Sequence, residues 1–323
     1  MFVFTGSNDS LTLWLLSFLP ILNIDIQQHS LFIPYREGQL HVRHICPHSP
    51  HGATIPILML HGAMSNGRVF YSDTGRGLAC FLAKAGFDVY VMDTAGRGLS
   101  LPKIQRDFAL GQGEVIREQL PLVHQFILQR HPLVTQVHWC AHSWGGVLMA
   151  SSLARFTDLQ TSVASLLTFG SKRTIKVKSL RKWLMVDFFW NRLAPFLVAR
   201  TGYLDANRLR VGMDNESRAS LLQTIDWVRG DWVDHDDSFD YARAAMKTNW
   251  PTSWFIAGKN DRVLGNPSDV RDMITECGFK QVKYTLLSKA QGNLFDYDHA
   301  GMLTNKQAEQ DHFVTIKQWY LAL

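Results

Sequence analysis

The sequence predicts an α/β protein with a mostly parallel central sheet, flanking helices and an inserted helical cap. Short apolar runs of strand length alternate with helical patterns over most of the chain. This alternation is typical of a parallel sheet that is covered on both faces. Residues 172–250 interrupt the alternation, because they carry helical patterns and no strong buried strand.

The individual elements follow from local patterns. Continuous apolar runs indicate strands buried on both faces, and 3.6-residue periodicity indicates helices. The turn at Glu37-Gly38 joins the first two strands, and Pro121 is expected to kink the long helix in the first half. The predicted strands are 31–35, 39–45, 54–60, 87–92, 136–140, 162–170, 252–258 and 281–288, and the predicted helices are 77–86, 114–130, 144–156, 267–277 and 305–323.

These elements predict three parts of the chain. Residues 1–30 form an N-terminal apolar extension, residues 31–171 and 251–323 form the core domain, and residues 172–250 form the cap. The extension contains the apolar run from Leu11 to Leu22, which is shorter than the roughly 20 residues of a membrane-spanning helix. We expect a helix that packs on the protein or lies on a membrane surface.

Composition narrows the function classes. The chain has 323 residues, of which 46% are hydrophobic, so a large core is expected. The net charge of +5 comes without a nucleic-acid-binding module, and no nucleic-acid partner is expected. The four cysteines are scattered and form no C-x-x-C pair. We therefore expect no metal and no cofactor, and a cytoplasmic protein with a peripheral membrane contact as an option.

The stretch "CAHSWGG" places Ser143 between a predicted strand and a predicted helix. A nucleophile on a sharp strand-to-helix turn needs small residues two positions away on either side, and Ala141 and Gly145 satisfy this need. Ser143 would then lie at a helix N-terminus, where free N–H groups favour an oxyanion. The alternative is a serine that simply caps the helix.

A second motif, "LMLHGAMSNG", follows the strand at 54–60. His61-Gly62 allows a tight turn beside the predicted site. The backbone N–H of Ala63, or that of Met64, could form an oxyanion hole with the N–H of Trp144. An ordinary glycine turn is the alternative.

A serine nucleophile needs a histidine base, and the histidine needs a carboxylate to orient it. Asp261 follows the strand at 252–258, and His299 lies in the loop after the last strand. The chain order is therefore serine, acid, histidine, with each residue at a strand's carboxyl end. Asp269 and His312 are the rivals, but both fall within predicted helices.

Together the stretches "LMLHGAMSNG", "GFDVYVMDTAGRGLS", "VHWCAHSWGGVLMA", "WFIAGKNDRV" and "YDHAGML" resemble the α/β-hydrolase fold superfamily with a helical cap. The sequence looks most like its lipase, esterase and serine aminopeptidase-like members. The resemblance implies Ser143 as nucleophile, His299 as base and Asp261 as acid. Ala141 and Ala95 depart from the family pattern without removing a catalytic group.

The predicted function is hydrolysis of a carboxylic ester, acyl or lipid-like, through an acyl-enzyme. A small-molecule acyl substrate is the expected partner, and the oligomeric state is left open. An acyltransferase and an amide or thioester hydrolase use the same triad, and a non-catalytic binding protein of the same fold is a further alternative.

The cap sequence "WLMVDFFWNRLAPFLV" offers aromatic residues at roughly helical spacing, from Trp183 to Phe196. Packing onto the core is the favoured interpretation, because such stripes are usually core. An apolar lid that touches lipid is the alternative.

Overall fold

The computed structural model describes residues 25–48 and 55–323. The predicted extension, including the run from Leu11 to Leu22, lies almost wholly outside the described residues. Eight strands form the main sheet in the order β1-β2-β4-β3-β5-β6-β9-β10. Their bounds are β1 Ile26–Tyr35, β2 Gly38–Pro47, β3 Ile57–Leu60, β4 Val89–Met92, β5 Val137–His142, β6 Val163–Phe169, β9 Thr252–Gly258 and β10 Val282–Leu287. A two-stranded ribbon pairs β7, Tyr203–Leu204, with β8, Glu216–Ser217.

The sheet is parallel from β4 to β10, and the two N-terminal strands add antiparallel pairs at its edge. Side chains of β3 alternate between the two faces, so Leu58 and Leu60 enter one apolar cluster while Ile57 and Met59 enter the other. Helices cover both faces, as a buried parallel sheet requires. The predicted α/β fold class is confirmed.

The principal helices are α1 Leu78–Lys84, α2 Leu120–Arg130, α3 Trp144–Arg155, α4 Thr157–Ser162, α5 Arg218–Arg229, α6 Tyr241–Ala245, α7 Pro267–Glu276 and α8 His312–Leu321. Two of them differ from the sequence prediction. Before α2 the chain is π-helical over Val115–Gln119, and Leu120 N–H bonds Val115 O. Pro121 has no N–H to donate, so the irregularity lies just before it.

The predicted helix at 305–323 is instead two pieces, because Asp311 leaves helical geometry between Lys306–Gln310 and α8. The Asp311 carboxylate accepts hydrogen bonds from Asn293, Leu294 N–H and the Tyr297 hydroxyl. These bonds tie the break to the loop before His299.

Between β6 and β9 the chain is largely helical, with β7 and β8 as its only strands among the described residues. It begins with one continuous helical stretch, here called the cap helix: Leu180–Lys182, the π-helical Trp183–Leu193 and Ala194–Thr201. Its inner side buries Val186, Ala194 and Val198, the last two packing against Leu221 and Ile225 of α5.

The opposite side of the cap helix is exposed. Trp183 is 50% exposed, Phe188 46% and Phe196 53%. The favoured packing interpretation is therefore wrong for these three residues. The period of the pattern is helical, but aromatic side chains stand on both sides, so periodicity alone selects the wrong face.

Candidate active site

Ser143 stands at the turn between β5 and α3 with φ 54° and ψ −125°. A non-glycine residue adopts this conformation only at a cost, and such strain concentrates at functional sites. The Ser143 N–H donates to Phe169 O at 2.7 Å, which anchors the turn to β6. The side chain makes no capping hydrogen bond, so the helix-cap alternative finds no support.

Neighbouring backbone segments approach each other closely, which explains the small residues around Ser143. A Cβ at Gly145 would lie 2.4 Å from His61 O, and a Cβ at Gly62 would lie 2.9 Å from Ser143 Cβ. Both distances are too short for a side chain. Ala141 is fully buried within β5, in register with Leu60 of β3.

His299 and Asp261 meet as the sequence order suggests. His299 Nδ1 donates a hydrogen bond to Asp261 Oδ2, and both side chains are largely buried. Burial alone would raise the pKa of Asp261, but the hydrogen bond and charge of His299 outweigh it and hold the pKa below its usual value. Asp261 therefore stays ionised at neutral pH. Across the described residues, no hydrogen bond joins Ser143 Oγ to His299, a bond that often tightens only when substrate binds.

Of the two rival residues, Asp269 accepts from Lys176 N–H at 3.1 Å, on the first turn of α7. His312 is buried, and its Nε2 donates to Met302 O at 2.7 Å. Each of these side chains therefore holds the backbone of another segment.

The oxyanion candidates lie on opposite sides of the turn. Trp144 is the first residue of α3, and Ala63 lies in the loop after β3. The N–H of Met64 donates to Glu216 Oε2 at 3.2 Å, so it is already occupied. His61 shapes the loop, because its Nδ1 donates to Gly62 O at 2.9 Å and its Nε2 accepts from Thr94 N–H at 3.2 Å.

Sequence reasoning missed three residues of the site. His142 Nε2 donates to His299 O at 3.0 Å, and the two rings lie 4.7 Å apart. Burial lowers the pKa of His142 to about 3, so its ring is neutral. The signal was its place directly before Ser143, but its contact with His299 spans 157 residues.

The other two follow β6. Gly170 has φ +59°, and a Cβ there would lie 2.9 Å from His299 Nδ1, so glycine leaves room for that ring. Lys172 is buried with Nζ 5.5 Å from the centre of the Trp144 ring. Burial lowers the Lys172 pKa to about 8.

Two cavities border these residues. The first is a small, partly open cavity beside Gly62, Ala63 and Trp144. The second lies beside His299 and Asp261 and is bounded by Arg181 of the cap helix. His299 therefore faces one cavity, and the oxyanion candidates face the other.

The one group of three metal-binding side chains found among the described residues lies elsewhere. His44, Cys46 and Asp88 bring their ligand atoms within 4.8 Å of one another. Asp88 precedes β4, so the group lies at the end of the sheet opposite Ser143. His44 Nε2 bonds Asp88 Oδ1 at 2.8 Å, and its ring stacks on Tyr90, which accounts for the group structurally.

Comparison with known proteins adds an independent line. A solved soluble variant of monoglyceride lipase from Saccharomyces cerevisiae superposes with a TM-score of 0.63 at 14% identity, covering 91% of this chain and 94% of that one. The enol-lactonase from Burkholderia xenovorans LB400 gives 0.56 at 14% identity, with 91% and 100% covered. The thioesterase domain from the curacin biosynthetic pathway gives 0.56 at 13% identity, with 91% and 99% covered. At these identities the likeness shows the fold.

None of the curated proteins compared with this chain matches it. The family model for the alpha/beta hydrolase fold matches residues 55–305. That range runs from β3 through the loop that carries His299. The chain belongs to the alpha/beta hydrolase fold family.

Proposed function

We propose that the protein hydrolyses a carboxylic ester through an acyl-enzyme on Ser143. The observation that carries this proposal is the combination of a strained serine turn with a buried Asp261–His299 pair at the same edge of the sheet. The parts supplied by the chain are those that acyl transfer needs: a nucleophile, a base with its orienting acid, and free N–H groups.

In this mechanism His299 Nε2 takes the proton of Ser143 as its Oγ attacks the ester carbonyl carbon. Asp261 keeps the proton on Nδ1, so Nε2 is free to accept. The N–H groups of Ala63 and Trp144 stabilise the oxyanion. His299 then protonates the leaving oxygen, and water attacks the acyl-enzyme by the same route.

Related acyl-transfer reactions are alternatives to ester hydrolysis at this site. Thioester and amide hydrolysis use the same groups, and so does transfer to an acceptor alcohol. A non-catalytic role would give no reason to keep a nucleophile turn strained and an acid ionised beside it. A series of soluble esters, thioesters and aminoacyl amides, with and without added alcohol, separates these outcomes.

The decisive test is labelling by a fluorophosphonate probe. The wild-type protein should be labelled, and Ser143→Ala should lose both labelling and turnover, with kcat falling about 10⁴-fold or more. Ser65→Ala is the matched control, since Ser65 lies in the nearby loop and its hydroxyl bonds only Asn66 O and Met213 Sδ, each at 3.4 Å, among the described residues. A folded wild-type protein that resists the probe would refute the proposal.

The same function favours a contact with lipid surfaces through the cap helix. Its outer side exposes Leu180, Trp183, Phe188 and Phe196. The helix carries four cations, Arg181, Lys182, Arg192 and Arg200, against the single carboxylate of Asp187. Exposed aromatic side chains bordered by cations suit an anionic bilayer. Among the described residues, no helix is long and apolar enough to cross a membrane.

A further inference from the structure

The cavity beside the oxyanion candidates has an unusual polar lining. His61, Ala63 and Trp144 border one side of it, and Arg97, Gln112 and Glu216 also line it. A pocket for a simple alkyl chain needs no buried polar groups, because each unpaired one is costly. The hydrogen-bond partners that these polar groups lack indicate which groups a ligand must supply.

Gln112 has its amide orientation fixed by donors. Its Oε1 accepts from Trp144 Nε1 at 2.8 Å and from the Thr224 hydroxyl at 3.1 Å. An indole N–H can only donate, so the atom facing it must be the amide oxygen. The Nε2 group is buried and has no partner among the described residues. Gln112 therefore presents two unused N–H donors.

Arg97 is the second residue with an unused donor group. One of its terminal nitrogens, Nη2, bonds Glu216 Oε1, while Nη1 is buried without a partner among the described residues. Glu216 is fully buried, and its second oxygen accepts from Met64 N–H at 3.2 Å. The carboxylate is thus satisfied on both oxygens, and the two opposite charges cancel. The unused groups of Arg97 and Gln112 are all donors.

The position of the cavity indicates which part of an ester it holds. The leaving oxygen must lie within reach of His299, which protonates it. His299 borders the other cavity, beneath Arg181. In the proposed mechanism the leaving group then lies on that side, which leaves the cavity of Arg97 and Gln112, past Ala63 and Trp144, for the acyl chain.

We infer that this cavity binds the acyl chain and selects one bearing a neutral acceptor oxygen, such as a ketone carbonyl, which accepts from Gln112 and Arg97. The inference rests on the proposed function. A neutral oxygen fits better than a carboxylate, because Arg97 is already neutralised by Glu216 and a second buried anion would lack a counter-charge. A plain alkyl chain leaves both donors unpaired.

The test compares p-nitrophenyl levulinate with p-nitrophenyl valerate, which have the same chain length and differ by one ketone oxygen. The wild-type kcat/KM should be about ten-fold or more higher for the levulinate, since sites built to hydrogen-bond an oxygen reject the analogue without it. The p-nitrophenyl monoglutarate tests a carboxylate. Its preference over both other esters would overturn the neutral-oxygen assignment.

Gln112→Glu is the matching variant. It is nearly isosteric and keeps an acceptor for Trp144 and Thr224, but replaces the unused donors with an acceptor. The levulinate-to-valerate ratio should fall to about one or below. Gln223→Glu is the control: Gln223 is also buried with an unpartnered Nε2 but does not line the cavity, and the ratio should stay at the wild-type value.

Fluorophosphonate labelling separates the two levels of failure. Wild-type protein that is labelled but cleaves valerate at least as well as levulinate overturns this inference and leaves the proposed function standing. Wild-type protein that is neither labelled nor active on any ester overturns the proposed function itself. If Gln112→Glu fails to fold, the wild-type comparison still decides.

Discussion

At the scale of single residues, Asp261 and Asp269 are the two carboxylates that chain order offers to orient His299, and they differ in their contacts. Asp261 accepts from His299 Nδ1, whereas Asp269 accepts from a backbone N–H at 3.1 Å. Their environments push the two pKa values in opposite directions. Burial is the largest effect on both, and it raises the pKa of Asp269, while the pairing with His299 lowers that of Asp261. Only Asp261 both contacts His299 and keeps a stable negative charge.

Asp261→Asn should lower kcat about 10⁴-fold with a soluble ester. The amide cannot hold the proton on Nδ1, so His299 adopts the tautomer that cannot accept from Ser143. Asp269→Asn is the matched control, and it should change kcat less than ten-fold. Steady-state kinetics and fluorophosphonate labelling rates measure both. Undiminished turnover in Asp261→Asn would transfer the acid role to another carboxylate.

The sequence predicts the site residues whose positions follow from chain order and from the carboxyl ends of strands. Ser143, Asp261 and His299 each follow a strand's carboxyl end, so their convergence can be predicted from alternation alone. His142 could not be assigned in this way. Its contact with His299 depends on the path of the loop after β10, which is held by Asp311 and not by a local pattern.

At the scale of elements, the cap helix shows what periodicity leaves open. Its inner side buries Val186, Ala194 and Val198, with Trp190 packed beside them, while Trp183, Phe188 and Phe196 are exposed. A helical period predicts the element but does not identify its buried face when both sides are apolar. The outward face is the one that we propose as the lipid-binding surface.

Replacing Trp183 and Phe188 together by serine should weaken binding to anionic vesicles about ten-fold or more, because each substitution removes apolar area that a bilayer would bury. Co-sedimentation with phosphatidylglycerol vesicles measures the binding, and added salt should weaken what the cations contribute. Leu133→Ser is the control, since Leu133 is 88% exposed but lies after α2, away from the cap helix. Equal binding of the double variant and wild type would exclude this surface.

At the scale of the whole molecule, the interior contains several buried histidine side chains that stay neutral. Burial lowers the pKa of His61, His124 and His138 to about 4, and that of His142 to about 3. They are distributed along the chain from the loop after β3 to the end of β5. Unfolding exposes all four, and each then regains an ordinary pKa near 6.5. Global stability is thereby coupled to pH in a predictable direction.

Stability should fall as pH drops from 7 to 5. The folded-state pKa values lie below the unfolded ones, so below pH 6.5 the unfolded chain binds protons that the folded protein does not, and the free energy of unfolding decreases. Each histidine contributes about 2 kcal/mol of this loss.

Urea unfolding at pH 7 and at pH 5 measures this loss of stability. His124→Gln should reduce the difference by that amount, because it removes one titrating ring. His124 bonds Ser162 Oγ and the Trp139 indole N–H, which are not part of the proposed triad. His29→Gln removes an exposed histidine and is the control. A pH dependence that His124→Gln leaves intact would mean that this ring is protonated inside the folded protein.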